Sequence, residues 1–180
     1  MLGANQQNIE IKVRLRDADH LRIEGNIRSL VPGVIDPTTD VDTYFRVPHG
    51  RLKLRVSNDD RAGTLIYYER PNEATSRLSL YRLVSIPDAR ALRDTLAEAV
   101  GVLVTVNKRR SVFIYGQTRI HLDNVENLGY FIELETVLGT QSDEAALAEH
   151  RYVFNTLGLD ACEAVPQSYS DLLLLRDIAP

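Results

Sequence analysis

The hexapeptide Gly50-Arg51-Leu52-Lys53-Leu54-Arg55 alternates three cations with two leucines. Successive side chains of a β-strand point to opposite faces of the sheet, so the cations would share one face and the leucines the other. Like charges at this spacing repel each other, and an anion bound between them would remove that repulsion. Taken alone, the hexapeptide favours the ordinary interpretation, a strand whose charged face lies in water. The rest of the chain has to decide between these interpretations.

Strand and helix patterns fill most of the chain on both sides of the hexapeptide. Alternating residues predict further strands at Ile9–Arg16, Asp40–Val47, Thr64–Arg70, Arg77–Ile86, Val102–Arg110, Ser111–Gly116, Thr118–Val125 and Gly129–Leu138. Helical periodicity and capping residues predict helices from the N-cap Asp17 to about Leu30, at Ala89–Val100, at Glu144–Leu157 and at Ser168–Leu175. Short connections indicate antiparallel neighbours. We therefore expect an α+β fold: one domain over residues 1–180, built on a closed antiparallel β-barrel of about eight strands.

The charged strand faces can point outward or into the barrel. The first arrangement gives an ordinary apolar interior, which composition alone does not exclude. Two observations favour the second. Bases dominate Gly50–Arg55 whereas Glu133 and Glu135 dominate the last long strand, and a solvated surface usually mixes the two signs. The predicted helices also carry apolar stripes that need an apolar surface to cover. We predict helices outside the barrel and a charged lumen with a basic and an acidic half.

Such a lumen has the chemistry of a site for a polyanion and a divalent cation. Arg and Lys bind phosphate oxygens, and carboxylates supply the hard oxygen ligands that Mg²⁺ and Mn²⁺ prefer. His121 lies between Arg119 and Asp123 on the same predicted strand face. It could act as a proton carrier or be an ordinary hydrogen-bonded strand residue.

The overall composition excludes several classes of protein. With 180 residues and a formal net charge of −4, the chain is not a basic nucleic-acid-binding protein, and any basic site is local. The single cysteine, Cys162, excludes an internal disulfide framework. Met1–Gln7 lacks a signal-peptide pattern, and no apolar run reaches the roughly 20 residues needed to cross a bilayer. We expect a cytoplasmic protein with no membrane contact and no zinc-ligand, Walker or dinucleotide-binding motif.

Six motifs follow one another in a characteristic order. They are Asn8-Ile9-Glu10-Ile11-Lys12, Asp42-Thr43-Tyr44-Phe45 with Gly50–Arg55, Lys108-Arg109-Arg110, Arg119-Ile120-His121-Leu122-Asp123, Leu128–Glu135 and Ser168–Leu172. Each motif is weak alone, but the ordered set covers nearly the whole chain and resembles the CYTH family, the triphosphate tunnel metalloenzymes. The resemblance implies an eight-stranded antiparallel tunnel that binds a triphosphate lengthwise, with Mg²⁺ or Mn²⁺ as cofactor.

The resemblance also implies a role for each matching residue. Metal ligands would be Glu10, Asp123, Glu133 and Glu135, and catalysis would depend on Glu10, Lys12, Glu133 and Glu135. Phosphate oxygens would be bound by Lys12, Arg51, Lys53, Arg55, Lys108, Arg110 and Arg119. Arg70 and Arg77 are further candidates, although the sequence leaves open whether Glu69 or Arg70 faces the lumen. Asn8 departs from the family, which usually has Glu there, and so leaves open whether one or two metal ions bind.

Three functions are compatible with such a tunnel. Metal-dependent hydrolysis of an inorganic or organic triphosphate is favoured, with tripolyphosphate, thiamine triphosphate or ATP as substrate. A class IV adenylyl cyclase would use the same cations and metal but needs a nucleoside pocket that the sequence does not identify. A non-catalytic module that binds polyphosphate or nucleotide is the third, supported by the loss of the acid at position 8. Assembly into a homodimer is left open.

Overall fold

The computed structural model of the chain describes residues 6–33, 35–139 and 141–178. Of Met1–Gln7, only Gln6 and Gln7 lie within these ranges. The strands are β1 (Gln6–Leu15), β2 (Ile35–Phe45), β3 (Arg51–Ser57), β4 (Gly63–Glu69), β5 (Arg77–Ile86), β6 (Val102–Tyr115), β7 (Thr118–Val125), β8 (Gly129–Val137) and β9 (Glu163–Ala164). The helices are α1 (Asp17–Leu30), α2 (Ala89–Val100), α3 (Asp143–Thr156) and α4 (Tyr169–Ile178).

The first eight strands form a closed antiparallel barrel, which confirms the predicted fold class. The hydrogen-bonded order is β5-β4-β3-β2-β6-β7-β8-β1. Pairing of β5 with β1, from Gln6 opposite Tyr81 to Glu10 opposite Arg77, closes the ring. The short strand β9 pairs with β1 at Val13, on the part of that strand that β5 does not reach.

Strand β6 corrects one prediction, because the two strands expected at Val102–Arg110 and Ser111–Gly116 are a single strand. Arg110 lies opposite Asp123 and Ser111 opposite Leu122 in one uninterrupted ladder with β7. The polar run at positions 107–111 needs no turn because its inward cations find carboxylates inside the barrel. Strand β2 is also longer than predicted and begins at Ile35, with a register irregularity around Pro37, which cannot donate to the ladder.

The turn before β3 depends on a glycine. Gly50 has a φ of +62°, a conformation that residues with a Cβ rarely adopt. A Cβ at this position would also lie 2.7 Å from the hydroxyl of Tyr67 on the neighbouring strand β4. Gly50 therefore allows the chain to reverse closely enough for β3 to enter the barrel with Arg51.

Two of the three apolar clusters among the described residues lie outside the barrel, between the strands and the helices. The third includes Val106, Phe131 and Tyr169 and lies on the inward strand faces, where α4 packs against the barrel. Leu54 packs with Phe45 and with Ala89 of α2, while Leu52 lies at the edge of the same cluster. A larger cluster joins the outward faces of four strands to the helices α1 and α3: Ile11, Val13, Leu15, Ile23, Ile27, Phe113, Ile120, Leu122, Ile132, Leu134, Val153, Leu157 and Leu159. Each fully buried Ile or Leu of this set contributes about 1.5–3 kcal/mol. The predicted inversion, with apolar faces outward and charged faces inward, is confirmed.

Helix capping fixes where the covering helices begin. The Asp88 side chain accepts a hydrogen bond from the Ala91 amide at 3.1 Å, and the Ser142 side chain accepts one from the Ala145 amide at 3.2 Å. Each bond satisfies an amide at a helix start that has no partner within the helix. None of the helices in the described ranges combines the length and the apolar character needed to span a bilayer.

Candidate active site

The barrel encloses a cavity of about 410 Å³ lined by the inward faces of its strands and by the start of α4. Its charged lining residues are Glu10, Lys12, Asp40, Lys53, Arg55, Arg70, Lys108, Arg110, Arg119, Glu133 and Glu135. Asn8, His121 and four tyrosines, Tyr44, Tyr68, Tyr81 and Tyr169, lie among them. The strand alternation that puts leucines under the helices thus puts ionisable groups into one enclosed space.

The cations of β3 and β6 are held by a buried carboxylate of β2. Lys53 Nζ and Lys108 Nζ each lie 2.9 Å from Asp42 Oδ2, and Arg55 Nε lies 2.7 Å from Asp42 Oδ1. Asp40, on the same face of β2, accepts a hydrogen bond from Ser57 and lies 3.5 Å from two of these cations. The three cations are thereby oriented around one point of the lumen wall.

Burial and the local charges determine the protonation states in this cluster. Burial alone would raise the pKa of Asp42, but Arg55, Lys108 and Lys53 hold that pKa well below its usual range. Burial, with Arg55 nearby, lowers the pKa of Lys108 to about 8 despite the attraction of Asp42. Asp42 is therefore ionised at neutral pH, and an additional anion in the cavity would favour the charged form of Lys108.

Arg110 connects this basic cluster to the acidic strand β8. Its Nε donates to Asp123 at 2.7 Å, and its Nη2 lies 2.7 Å from Glu133 Oε2. Asp123 is fully buried behind Arg110 and accepts a further hydrogen bond from the Tyr169 hydroxyl at 2.9 Å. Asp123 does not line the cavity, so the structure places this predicted metal ligand behind a cation that it holds in position.

Lys12 projects from β1 towards Glu133. Its Nζ lies 3.1 Å from Glu133 Oε1, donates to the Gln167 carbonyl at 3.0 Å and lies 4.0 Å from the centre of the Tyr169 ring. Burial lowers the pKa of Lys12 to about 8, against the opposing effect of Glu133. Burial would raise the pKa of Glu133, but Lys12 and Arg110 hold it well below its usual range. Both groups of this pair are charged at neutral pH.

Glu10 lies between two arginines of the β4–β5 connection. Arg70 Nε lies 3.0 Å and Arg77 Nη2 lies 3.3 Å from Glu10 Oε1. Burial nevertheless raises the pKa of Glu10, and the neighbouring Glu135 adds to this effect against the attraction of Arg70. Arg70 faces the lumen, whereas Glu69 is exposed and accepts a hydrogen bond from Tyr67. This placement resolves which member of the Glu69–Arg70 pair points inward.

A second face of the lumen combines two carboxylates with an imidazole. One oxygen of Glu133, one oxygen of Glu135 and one ring nitrogen of His121 all lie within 4.8 Å of one another. Glu135 also contacts Arg119 at 3.0 Å. Burial would raise the pKa of Glu135, but His121 and Arg119 lower it, so that both carboxylates are ionised.

These side chains fit a divalent cation. Ionised carboxylate oxygens are the ligands that Mg²⁺ and Mn²⁺ accept, and imidazole nitrogen is a common ligand of transition metals. The Oδ1 atom of Asn8 is buried in the same lumen and has no hydrogen-bond partner among the described residues. A buried polar atom without a partner is costly, and a bound ion or its water would supply one.

Two predicted phosphate ligands lie outside the cavity lining. Arg51, at the end of β3, bonds to Asp171 at 2.8 Å and to Asn72 at 3.0 Å beside a separate cavity. Arg77 is 4% exposed and is held by Glu10 and the Glu73 carbonyl. The other predicted cations, Lys12, Lys53, Arg55, Arg70, Lys108, Arg110 and Arg119, all line the cavity.

The predicted division into a basic and an acidic half is wrong. Asp40 and Asp42 are embedded among the cations, while Lys12 and Arg119 contact the glutamates. The reason is that a buried charge needs an opposite partner within a few ångströms. In and directly behind the lumen, the described residues include eight cations: Lys12, Lys53, Arg55, Arg70, Arg77, Lys108, Arg110 and Arg119. Six carboxylates oppose them: Glu10, Asp40, Asp42, Asp123, Glu133 and Glu135.

The lumen therefore has an excess of two positive charges, although the chain as a whole carries −4. Such a local excess attracts an anion into an otherwise acidic protein. Because β1, β3, β6 and β7 all contribute cations, an anion in the cavity would be contacted from several sides.

Sequence reasoning gave no role to Asp42 or Tyr169, which organise the cations from behind. The alternation Asp40-Val41-Asp42 was the available signal, because it places both carboxylates on the face that meets Arg55 and Lys108. Tyr169 had no such signal. Its hydroxyl reaches Asp123 only because α4 folds back across the end of the barrel.

Comparisons with known proteins agree with this geometry. A solved structure of the PH1012 protein from Pyrococcus horikoshii superposes with a TM-score of 0.77 at 23% identity, covering 92% of this chain and 98% of that one. A Hippeastrum protein, described as an adenylyl cyclase with dominant triphosphatase activity, has a TM-score of 0.65 at 13% identity, with 96% and 95% covered. Both likenesses concern the fold.

Sequence comparison identifies relatives over nearly the full length. The adenylate cyclase CyaB of Aeromonas hydrophila is 25% identical over 174 residues, which is 91% of this chain and 87% of that protein. The sequence model of the CYTH domain matches residues 6–169, a segment that contains the barrel and every charged residue of its lumen. CYTH proteins are metal-dependent enzymes that include adenylate cyclases and triphosphatases. This chain belongs to the CYTH domain family.

Proposed function

We propose that the chain is a metal-dependent triphosphatase, a single-domain enzyme that hydrolyses an inorganic or organic triphosphate inside the barrel. The observation that carries this proposal is the surplus of cations from several strands around one cavity, next to a pair of ionised carboxylates. Lys53 and Arg55 come from β3, Lys108 from β6 and Arg119 from β7. A chain of phosphates can be contacted from several sides in such a space.

The cations are positioned to contact different parts of the substrate, one group of three around Asp42 and Arg110 beside Glu133. Lys53, Arg55 and Lys108 are oriented by Asp42, so they are arranged before substrate binds. Preorganised donors stabilise developing charge without reorganisation during the reaction. Arg110, fixed by Asp123, lies between this group and Glu133 and can bind a phosphate oxygen nearest the carboxylates.

The cation bound by Glu133 and Glu135 would supply Lewis-acid chemistry that polarises a phosphoryl oxygen. Lys12 Nζ lies beside Glu133 and remains mostly protonated at neutral pH, so it can neutralise charge on a departing phosphate oxygen. Glu10, held by Arg70 and Arg77, keeps Arg70 directed at the lumen.

Adenylate cyclase activity is the second candidate, and the observation that favours it is the relative from Aeromonas hydrophila. Cyclisation would require the same cations to bind the triphosphate of ATP while the nucleoside is held in a fixed orientation. Hydrolysis requires no nucleoside contact, and the lumen contains phosphate-binding cations and candidate metal ligands that support it. The Hippeastrum structure shows that this fold also serves a dominant triphosphatase.

Product identification separates the two activities. In the presence of Mg²⁺ or Mn²⁺, we expect the protein to release orthophosphate from tripolyphosphate, thiamine triphosphate or ATP. Ion chromatography identifies and quantifies the products. Glu133→Gln should reduce turnover by at least about 10²-fold because it removes a metal ligand, while tripolyphosphate still binds to the cations. Glu144→Gln, on the exposed first turn of α3, is the matched control and should retain full turnover.

Two results would contradict the proposal. Formation of cyclic AMP and pyrophosphate from ATP, without orthophosphate, would make the chain a cyclase. Binding of tripolyphosphate without turnover in the unmodified protein, under all metal conditions, would make it a binding module.

A further inference from the structure

The lumen has an uncharged amide at position 8, where the family resemblance implies a carboxylate. Asn8 lies two residues before Glu10 on the inward face of β1, is 3% exposed and lines the cavity. An amide oxygen carries no negative charge, so a cation at this site is bound less strongly unless another group takes part. A replacement ligand should be a buried polar atom that faces the same space and has no partner within the protein.

His121 meets this description. The residue lines the cavity and is 5% exposed, and its Nδ1 atom has no hydrogen-bond partner among the described residues. On the adjacent strands β7 and β8, His121 lies directly opposite Glu133. Glu135 is the diagonal neighbour on the same face, with its Oε1 atom 3.8 Å from Nδ1. The strand register therefore brings one imidazole and two carboxylates together.

The geometry of the ring agrees with a ligand role. A metal ion binds the lone pair of a ring nitrogen, and the Nδ1 atom beside Glu135 has no hydrogen bond that would occupy it among the described residues.

We propose that His121 supplies a nitrogen ligand to the divalent cation bound by Glu133 and Glu135, and that this ligand makes the site select Mn²⁺ over Mg²⁺. The proposal rests on the proposed function in placing the cation at these two glutamates, and it adds an imidazole that the family resemblance does not imply. It concerns metal identity and holds whether the enzyme hydrolyses or cyclises its substrate.

The separation of the three ligand atoms is compatible with one ion. Ligand atoms about 2.1 Å from an octahedral metal lie about 3–4 Å from one another. The three atoms here lie within 4.8 Å, so shifts of less than about 1 Å per side chain would complete the site. Two carboxylates and one imidazole leave other coordination positions open for water and phosphate oxygens.

The selectivity follows from ligand preference. Mg²⁺ is a hard cation that favours oxygen ligands and gives up its water reluctantly, so a nitrogen ligand adds little to its binding. Imidazole suits transition metals, and a site with one nitrogen binds them more tightly than two carboxylates alone. Removal of the imidazole should therefore weaken Mn²⁺ binding selectively.

The test uses metal alone, with the full chain and without substrate. Pulsed electron paramagnetic resonance of the Mn²⁺ complex should show coupling to a ¹⁴N nucleus, and this coupling should disappear in His121→Gln. Calorimetric titration should show Mn²⁺ affinity reduced about tenfold or more in His121→Gln, with Mg²⁺ affinity changed less than about threefold. His49→Gln, at an exposed residue outside the cavity lining, is the matched control and should retain both properties.

Each result decides the matter. A Mn²⁺ complex of the unmodified protein without ¹⁴N coupling, or equal losses of Mg²⁺ and Mn²⁺ affinity in His121→Gln, would overturn the proposal. If His121→Gln does not fold, as judged by circular dichroism, the spectrum of the unmodified protein decides alone. Hydrolysis without ¹⁴N coupling would contradict His121 as a ligand but support the proposed function. Coupling to ¹⁴N without turnover of any triphosphate would support His121 as a ligand but contradict the proposed function.

Discussion

Two buried clusters of the lumen use the same residue types with different results. In the Asp42 cluster, one carboxylate contacts Lys53, Arg55 and Lys108, and its pKa is held well below the usual range. In the glutamate cluster of Glu10, Glu133 and Glu135, three carboxylates lie close together. Nearby cations lower the pKa values of Glu133 and Glu135, but the pKa of Glu10 is raised.

This difference separates the charges that stabilise the fold from those that are available to bind a ligand. A carboxyl with a depressed pKa stabilises the folded state above its unfolded pKa and loses that contribution as the pH falls. A carboxyl with a raised pKa weakens the folded state as the pH rises through it. Asp42 is thus fully compensated by its cations, while the negative charge of Glu10 is disfavoured and a bound cation would stabilise it.

Asp42→Asn should have the largest effect on stability. The change leaves three buried cations without their shared partner, and removing one member of a buried ion pair costs about 3–5 kcal/mol. We expect the free energy of unfolding, measured in urea, to fall by that amount. Tripolyphosphate should recover part of it, because an anion bound by the folded state stabilises that state.

Glu10→Gln is the matched comparison for Asp42→Asn. Glu10 also contacts two cations, but its charge is disfavoured in the folded state, so its loss should change the free energy of unfolding by no more than about 1 kcal/mol. Equal destabilisation by the two variants would show that the clusters do not differ in the way proposed.

Glu135→Gln should show the reverse pattern, with a large effect on activity and a smaller one on stability than Asp42→Asn. Loss of a proposed metal ligand should lower kcat/KM by about 10²-fold, equivalent to about 2.7 kcal/mol of transition-state stabilisation. The melting temperature without metal should fall by a few degrees, because the change removes the ion pair with the partly exposed Arg119 but also the repulsion from Glu133. Loss of stability without loss of activity would contradict the assignment of this cluster to the ligand.

The pH dependence of stability tests the packing of α3 against β8, the strand that carries Glu133 and Glu135. His150, buried between α3 and β8, bonds to Thr136 and Ser76, and burial lowers its pKa to about 4. The unfolded state binds a proton near pH 6.5 and the folded state does not, so stability falls as the pH drops from about 6.5 towards 4. At pH 5 this loss is about 2 kcal/mol for His150. His150→Gln should remove that part of the pH dependence in urea unfolding at pH 7 and pH 5, and an unchanged slope would contradict it.

Much of the fold follows from strand alternation, because a period of two assigns each residue of Gly50–Arg55 or Gly129–Val137 to a face. The charge on one face and the apolar helices together predicted which face is inside. The pairing of individual charges could not be predicted in this way. Whether Arg110 contacts Asp123, Glu133 or both depends on side-chain positions that strand register limits but does not determine.

The limits of alternation are clearest in β6 and at His121. Val102–Tyr115 shows no break in structure although its polar centre suggests one, because lumen carboxylates compensate cations that would otherwise favour a turn. The sequence left open whether His121 is a proton carrier or an ordinary hydrogen-bonded residue, because a sequence does not show that a ring nitrogen lacks a partner. Both points depend on long-range contacts, which local patterns do not contain.

Two neighbouring cations of β3 give the smallest and most local test of the comparison. Arg51 and Lys53 share one face of the strand, but Arg51 bonds to Asp171 outside the cavity lining whereas Lys53 belongs to the Asp42 cluster within it. Lys53→Ala should raise KM for tripolyphosphate about tenfold, equivalent to about 1.4 kcal/mol, with kcat changed less.

Arg51→Ala should raise KM for tripolyphosphate by less than about threefold, because this guanidinium has protein partners and does not line the site. Steady-state assays of both variants at one metal concentration provide the measurement. Equal effects would mean that phosphate is bound along the whole strand and that the ion pair with Asp171 opens when substrate enters. The ratio of the two KM values therefore locates the end of the phosphate site between two residues that sequence alternation makes equivalent.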